Sequence, residues 1–120
     1  MLTYKVVLAT FPGREKYLEE SVESLRIQGA EPIIVGDTRW GPDKWNEALD
    51  NCETDLLFLP HDDDVYDPTY IETMVKFMED HPTVAAAFCM DRFIDADGRR
   101  IAGGTSLPIP SRIHTTSRPS

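Results

Sequence analysis

Apolar positions along the chain switch between two periods. Tyr4 to Thr10 is a β-branched and apolar run that stops at Phe11-Pro12-Gly13, a turn signal. Tyr17, Leu18, Val22 and Leu25 then recur at helical spacing among acidic residues, and Gly29 closes that helix. Glu31 to Val35 reads as a second strand that runs into Gly36-Asp37. Asp43 is placed to cap a short helix with Trp45, Ala48, Leu49 and Cys52 on one face. Asp55 to Leu59 is a third strand. Asp67-Pro68 opens a further helix with the stripe Ile71, Met74, Val75 and Met78, ended by His81-Pro82. Val84 to Met90 is a fourth strand, and Phe93 to Ile101 folds back as a hairpin around Asp97-Gly98. Strands alternating with helices predict an α/β fold, a mostly parallel sheet flanked by helices in a Rossmann-like three-layer sandwich. The pattern covers residues 1–104. Residues 105–120, rich in Pro, Ser and Thr and without periodicity, are expected to be an extended or disordered tail.

Composition narrows the function. With 120 residues the chain has room for one core, and 41% hydrophobic with 28% charged residues is ordinary for a globular domain. A net charge of −9 argues against nucleic acid or an anionic membrane as the main partner, since both demand clustered Lys and Arg. No apolar run approaches the roughly 18 residues of a membrane span, and the Met1 end lacks a signal-peptide layout. Cys52 and Cys89 stand alone, without metal-ligand spacing. Two buried free thiols in a reducing, cytoplasmic setting are the expectation.

The most informative segment is His61-Asp62-Asp63-Asp64, directly after Leu56-Leu57-Phe58-Leu59-Pro60. Consecutive carboxylates repel one another, and a divalent cation offsets that repulsion. Mg2+ or Mn2+ takes oxygen ligands, usually one or two carboxylates together with substrate phosphates. A buried strand ending in acids puts them at the carboxyl edge of the sheet, where open α/β folds bind ligands. The bland reading is a solvated acidic turn before the next helix.

Order and motifs together resemble the N-terminal, nucleotide-sugar-binding half of a family 2 glycosyltransferase of the GT-A type, over about Tyr4 to Ile101. VVLATFPGREKYLEESVESLRIQ is similar to the family's first strand, turn and helix with its Ser-Leu-x-x-Gln stretch. Ile33 to Asp37 resembles the strand whose terminal aspartate contacts the base. Trp45-Asn46-Glu47-Ala48-Leu49 resembles the Arg-Asn-x-Ala-Leu helix, and LLFLPHDDDVYDPTYIETMVKFMEDHP the DxD segment with its following helix. The resemblance implies a nucleotide-diphospho-sugar donor, an acceptor of unknown class, and Mg2+ or Mn2+ as cofactor. It places Thr10, Phe11, Asp37, His61 and Asp62 at the nucleotide-sugar and Asp63 and Asp64 at the metal.

Departures from the family pattern matter too. His61 stands at the first DxD position, so Asp63 is the better metal ligand and Asp62 is left to face the ribose or a metal-bound water. Asp64 either orients the ion from behind or starts the helix. Phe11 and Pro12 replace a tyrosine and an asparagine, and only seven residues separate Asp37 from Trp45, where the family fits a helix and a strand. Asp37 also reads as a turn residue, His61 as a capping residue, and Arg14 as a solvated cation at a helix start rather than a diphosphate contact. Trp45 reads as core and the loop residue Trp40 as a pocket wall. Asp91 is placed to edge the pocket, whereas Asp95 and Asp97 read as turn residues.

In inverting members the general base and the acceptor site lie downstream, at distances this chain does not reach, so no catalytic base is assigned. The chain is accordingly expected to be a truncated domain that binds without efficient turnover. The alternative is a non-catalytic nucleotide-sugar-binding or interaction module. A nucleotidyltransferase would need a glycine-rich basic loop after the first strand, which Phe11-Pro12-Gly13-Arg14 does not supply. An exposed acidic sheet face also admits a homo-oligomer.

Overall fold

A computed structural model describes residues 1–89, 94, 95, 97, 99 and 113–117, the last five by their backbone. In chain order the elements are β1 (Tyr4–Ala9), α1 (Glu15–Arg26), β2 (Ile33–Val35), α2 (Gly41–Asp50), β3 (Leu56–Phe58), α3 (Tyr70–Asp80), β4 (Val84–Cys89) and β5 (Ile113–Ser117). They fall into two compact units, Met1–Glu79 and Asp80–Ser120.

The first unit is a parallel sheet in the order β2-β1-β3, flanked by helices. Parallel neighbours need crossover connections, which α1 and α2 supply. β1 is central and buried, with Val6 and Val7 at 3% and Leu8 at 0% exposure. Val7 registers with Ile33 in β2, and Val6 with Phe58 in β3. Val22 and Leu25 of α1, Ala48 of α2, and Ile71, Met74 and Val75 of α3 complete the core. Of the stripes read from the sequence, Val22 and Leu25 in α1 and Ile71, Met74 and Val75 in α3 are buried, whereas Leu18 and Met78 are half-buried and Tyr17 is 55% exposed. α2 starts at Gly41, with Trp40 rather than Asp43 at its cap, and Asp43 lies in its first turn. Leu49 is exposed, Cys52 lies beyond the helix end, and Lys44 with Ala48 forms the buried face. α3 starts at Tyr70, two residues after Pro68. Asp67 organises the turn before it by accepting from the Thr69 amide (2.9 Å) and hydroxyl (2.7 Å). Gly29, with φ at +81°, ends α1 in the left-handed region that glycine adopts without strain.

In the second unit β4 pairs antiparallel with β5, a strand within the stretch expected to be tail. The expected hairpin lies largely outside the described residues, as does Asp91. Asp95 nonetheless forms a turn there: its amide bonds the Arg99 carbonyl (2.8 Å), and its Oδ1 accepts from the amides of Asp97 and Arg99 (both 2.9 Å). Cys52 and Cys89 are both half-buried. Among the described residues no helix is long and apolar enough to cross a membrane.

Candidate functional site

All three strands of the parallel sheet run the same way, so their carboxyl ends share one edge. β1 delivers Thr10 and Phe11, β2 delivers Gly36 and Asp37, and β3 continues through a parallel bridge between Ala9 and His61 into the acidic run. This edge is the position at which open α/β sheets bind ligands.

Side-chain bonds join the three ends into one network. Thr10 is 4% exposed, and its Oγ1 donates to Asp62 Oδ2 at 2.7 Å. Arg14 reaches the same carboxylate with two donors, Nε to Oδ2 at 2.7 Å and Nη2 to Oδ1 at 2.9 Å. The bidentate fork is the strongest geometry for a guanidinium and a carboxylate. Arg14 Nη2 also lies 3.3 Å from Asp63 Oδ2. Arg14, read from the sequence as a solvated helix-start cation, is therefore an internal counter-charge for the acidic run. Burial acts to raise the Asp62 pKa, but the hydrogen bonds from Arg14 and Thr10 outweigh it and hold the carboxyl below its ordinary range.

The consecutive acids thus divide into inward and outward members. Asp62 is 7% exposed with both oxygens engaged, whereas Asp63 and Asp64 are exposed. The sequence reading had Asp62 facing the ribose or a metal-bound water, and here it faces Arg14 and Thr10. His61 is exposed, and its ring meets Trp45 edge-on at 6.0 Å. The Trp45 Nε1 proton is buried and finds no acceptor among the described residues. Trp45 is thus half-buried and tied to the acidic loop, while Trp40 is 70% exposed.

Ser21 and the Ser-Leu-x-x-Gln stretch at the end of α1 bond backbone groups about 40 residues on. Ser21 Oγ donates to the His61 carbonyl (2.9 Å), Ser24 Oγ accepts from the Tyr66 amide (3.0 Å), and Gln28 Oε1 accepts from the Ile71 amide (2.9 Å). One face of α1 thereby holds the acidic loop and the start of α3 by backbone groups that would otherwise lack partners.

At the β2 end, Asp37 accepts from the Arg39 guanidinium at 2.8 to 3.1 Å and from the Arg39 amide at 3.0 Å. These bonds, the side-chain ones foremost, lower its pKa to about 2 despite partial desolvation. Arg39 also pairs with Glu47. Asp37 is therefore both a turn residue and an ionised group at the edge. The residue that sequence reasoning missed is Lys44. Its side chain is fully buried, and its Nζ donates to the carbonyls of Thr10 (2.6 Å) and Asp37 (2.5 Å). The Phe11 ring lies over that ammonium, with its centroid 3.9 Å away. The signal was a lysine between Asp43 and Trp45 on a helix whose apolar face is otherwise short. Helix periodicity counted from Asp43 as cap did not assign it an inward place.

Among the described residues no three His, Cys, Asp or Glu side chains gather in a way that holds a metal by themselves. With Asp62 spent on Arg14 and Thr10, the exposed acids of this run that could offer oxygens to a cation are Asp63, 3.3 Å from Arg14, and Asp64. Such a donor set fits an Mg2+- or Mn2+-type ion that keeps waters and shares its shell with phosphate oxygens, rather than a closed cage. A concavity of about 390 Å3 lies elsewhere. It is lined by Tyr4, Lys5 and Val6 at the amino end of β1, with Ala30, Glu31 and Thr54 around it. The network of charges, not the depth of the surface, marks the carboxyl edge.

Comparison with known proteins bears on this edge directly. A model of glycosyl transferase family 2 matches residues 33–118, which is well over half of the chain. No curated protein and no solved structure matches it. The matched stretch opens at β2 and includes Asp37, Lys44 and the whole acidic run, while Thr10, Phe11 and Arg14 precede it. A parallel sheet flanked by helices, with charged groups from three strand ends brought to one edge, agrees with that match, and the chain belongs to glycosyl transferase family 2.

Proposed function

We propose that the carboxyl edge of β1, β2 and β3 binds a nucleotide-diphospho-sugar together with Mg2+ or Mn2+, for transfer of the sugar to an acceptor. The observation that carries this reading is the continuous network Asp37–Lys44–Thr10–Asp62–Arg14–Asp63, which puts an ionised carboxylate, an exposed aromatic face and an exposed acid pair on one edge. Asp37 accepts a base N–H or ribose hydroxyl, Thr10 and Phe11 border the nucleoside, and His61 reaches a phosphate or sugar hydroxyl. Asp63 holds the ion, with Asp64 behind it. When bound there, a divalent ion neutralises the charge that develops on the leaving diphosphate. Arg14 and Thr10 clasp Asp62, which anchors the loop carrying Asp63, and Asp63 keeps its exposed carboxylate toward solvent beside the Arg14 guanidinium. Arg14, next to Asp63, adds positive charge where the diphosphate arrives.

Calorimetric titration of the 120-residue chain with UDP and with GDP, each with Mn2+ and with EDTA, tests the reading. Binding that requires Mn2+ and falls at least 10-fold in Asp63→Ala is expected. Equal affinity in EDTA, or an Asp63→Ala variant that binds like wild type, would refute the metal assignment.

A further inference from the structure

Lysine is among the residues least often buried without a carboxylate partner, yet the Lys44 side chain is wholly enclosed. Its Nζ donates to two main-chain carbonyls, and the nearest carboxylate oxygen, Asp37 Oδ1, is 3.7 Å away. Joining β1 to β2 does not require this ammonium, because the Thr10 amide already donates to the Val35 carbonyl at 3.0 Å. An apolar side chain on α2 would fill the same space without the desolvation of a charge. What the ammonium adds is a fixed cation behind the Phe11 ring, 3.9 Å from its centroid. Phe11 as a residue is 37% exposed, at the site edge. A ring with a cation against one face is pinned in orientation, and its π density is drawn away from the other face. An electron-rich heteroaromatic ring stacks well on such a depleted surface.

We propose that Lys44 is a positioning residue: from beneath, it sets the Phe11 ring as the stacking face for the nucleobase, with Asp37 alongside as acceptor for a base N–H. The inference rests on the nucleotide-sugar reading above. Lys44 is enclosed and so acts through Phe11, not by touching the ligand. The groups facing its ammonium are the carbonyls of Thr10 and Asp37, the Asp37 carboxylate and the Phe11 ring.

The test is a double-mutant cycle on the 120-residue chain with Lys44→Met, Phe11→Leu and the double variant, read as calorimetric affinity for UDP and GDP with Mn2+ below the melting temperature of every variant. Each single change is expected to weaken binding on the order of 10-fold, and the double variant to bind within about 2-fold of the weaker single, because both remove one coupled contact. Lys44→Arg, which keeps the charge, should recover part of the loss. A purely structural lysine would lower the melting temperature and leave affinity unchanged, or its effect would add in full to that of Phe11→Leu; either result overturns the proposal. Should Lys44→Met fail to fold, the same cycle with Lys44→Gln, which removes the charge but keeps a donor for the carbonyls, decides, and full additivity there overturns it equally. A wild-type chain that binds neither nucleotide sinks the nucleotide-sugar reading and this inference with it, whereas nucleotide binding insensitive to Lys44 removes the Lys44 role alone.

Discussion

Asp62→Ala separates the two kinds of acid in the His61–Asp64 run. Wild-type Asp62 accepts three hydrogen bonds, two from Arg14 and one from Thr10 Oγ1, at 2.7 to 2.9 Å. Removing the carboxylate leaves the Thr10 hydroxyl buried without its acceptor and frees the guanidinium. A hydrogen bond to a charged group contributes about 1.5–3 kcal/mol, and an orphaned buried donor costs a similar amount. Arg14 is partly exposed and regains water, which discounts its share. The net expectation is about 2 kcal/mol, a fall in melting temperature of roughly 8–16 °C for a unit of this size. Asp63→Ala, at an exposed position, should stay within about 0.5 kcal/mol of wild type, since its pairing with Arg14 is a solvent-screened surface ion pair that contributes little. Thermal unfolding followed by far-ultraviolet circular dichroism reads both. An Asp62→Ala shift below about 2 °C, or an Asp63→Ala shift as large as that of Asp62→Ala, would show that the inward and outward assignment of these carboxylates is mistaken.

Acid unfolding follows from the same clasp. The folded Asp62 pKa is lowered, so its stabilisation is complete above the unfolded value of about 3.9 and is lost as pH falls through the lower folded one. A pH series in Asp62→Ala should therefore show a shallower acid limb than wild type below about pH 4, and identical limbs would count against the clasp. Asp37, with a pKa of about 2, stays ionised through pH 4. Nucleotide affinity measured between pH 7 and 4.5 should carry no titration from this group, and Asp37→Asn should weaken binding across that whole range. Leu25→Ala, at a position with no exposure on the inner face of α1, should cost about 2–5 kcal/mol and leave the chain largely unfolded by urea titration at room temperature.

Local periodicity determined the strands of the parallel sheet and the core faces of α1 and α3, though not the start of α2 or β5. Val6, Val7 and Leu8 form a strand that must be buried on both sides, and Val22 with Leu25 defines one face of α1, because these signals depend only on neighbours two or three to four residues away. The edge at which the acids gather followed as well, since parallel strands end together. The sequence also carried the Ser24–Gln28 spacing as a resemblance, although the backbone groups that these side chains satisfy, the Tyr66 and Ile71 amides, belong to a loop and the start of α3 some 40 residues on. What only the tertiary structure decided is which way each charge faces. Asp62, Asp63 and Asp64 are chemically alike, and the choice of Asp62 as the inward acid rests on Arg14 and Thr10, 48 and 52 residues away. Lys44 is the converse case. A lysine on a short helix reads as a solvated residue until β1 and β2 bring two carbonyls and an aromatic ring within reach of its ammonium. Desolvation of a charge is offset by partners that meet only once the sheet has formed, so neither assignment is available to a pattern counted along the chain.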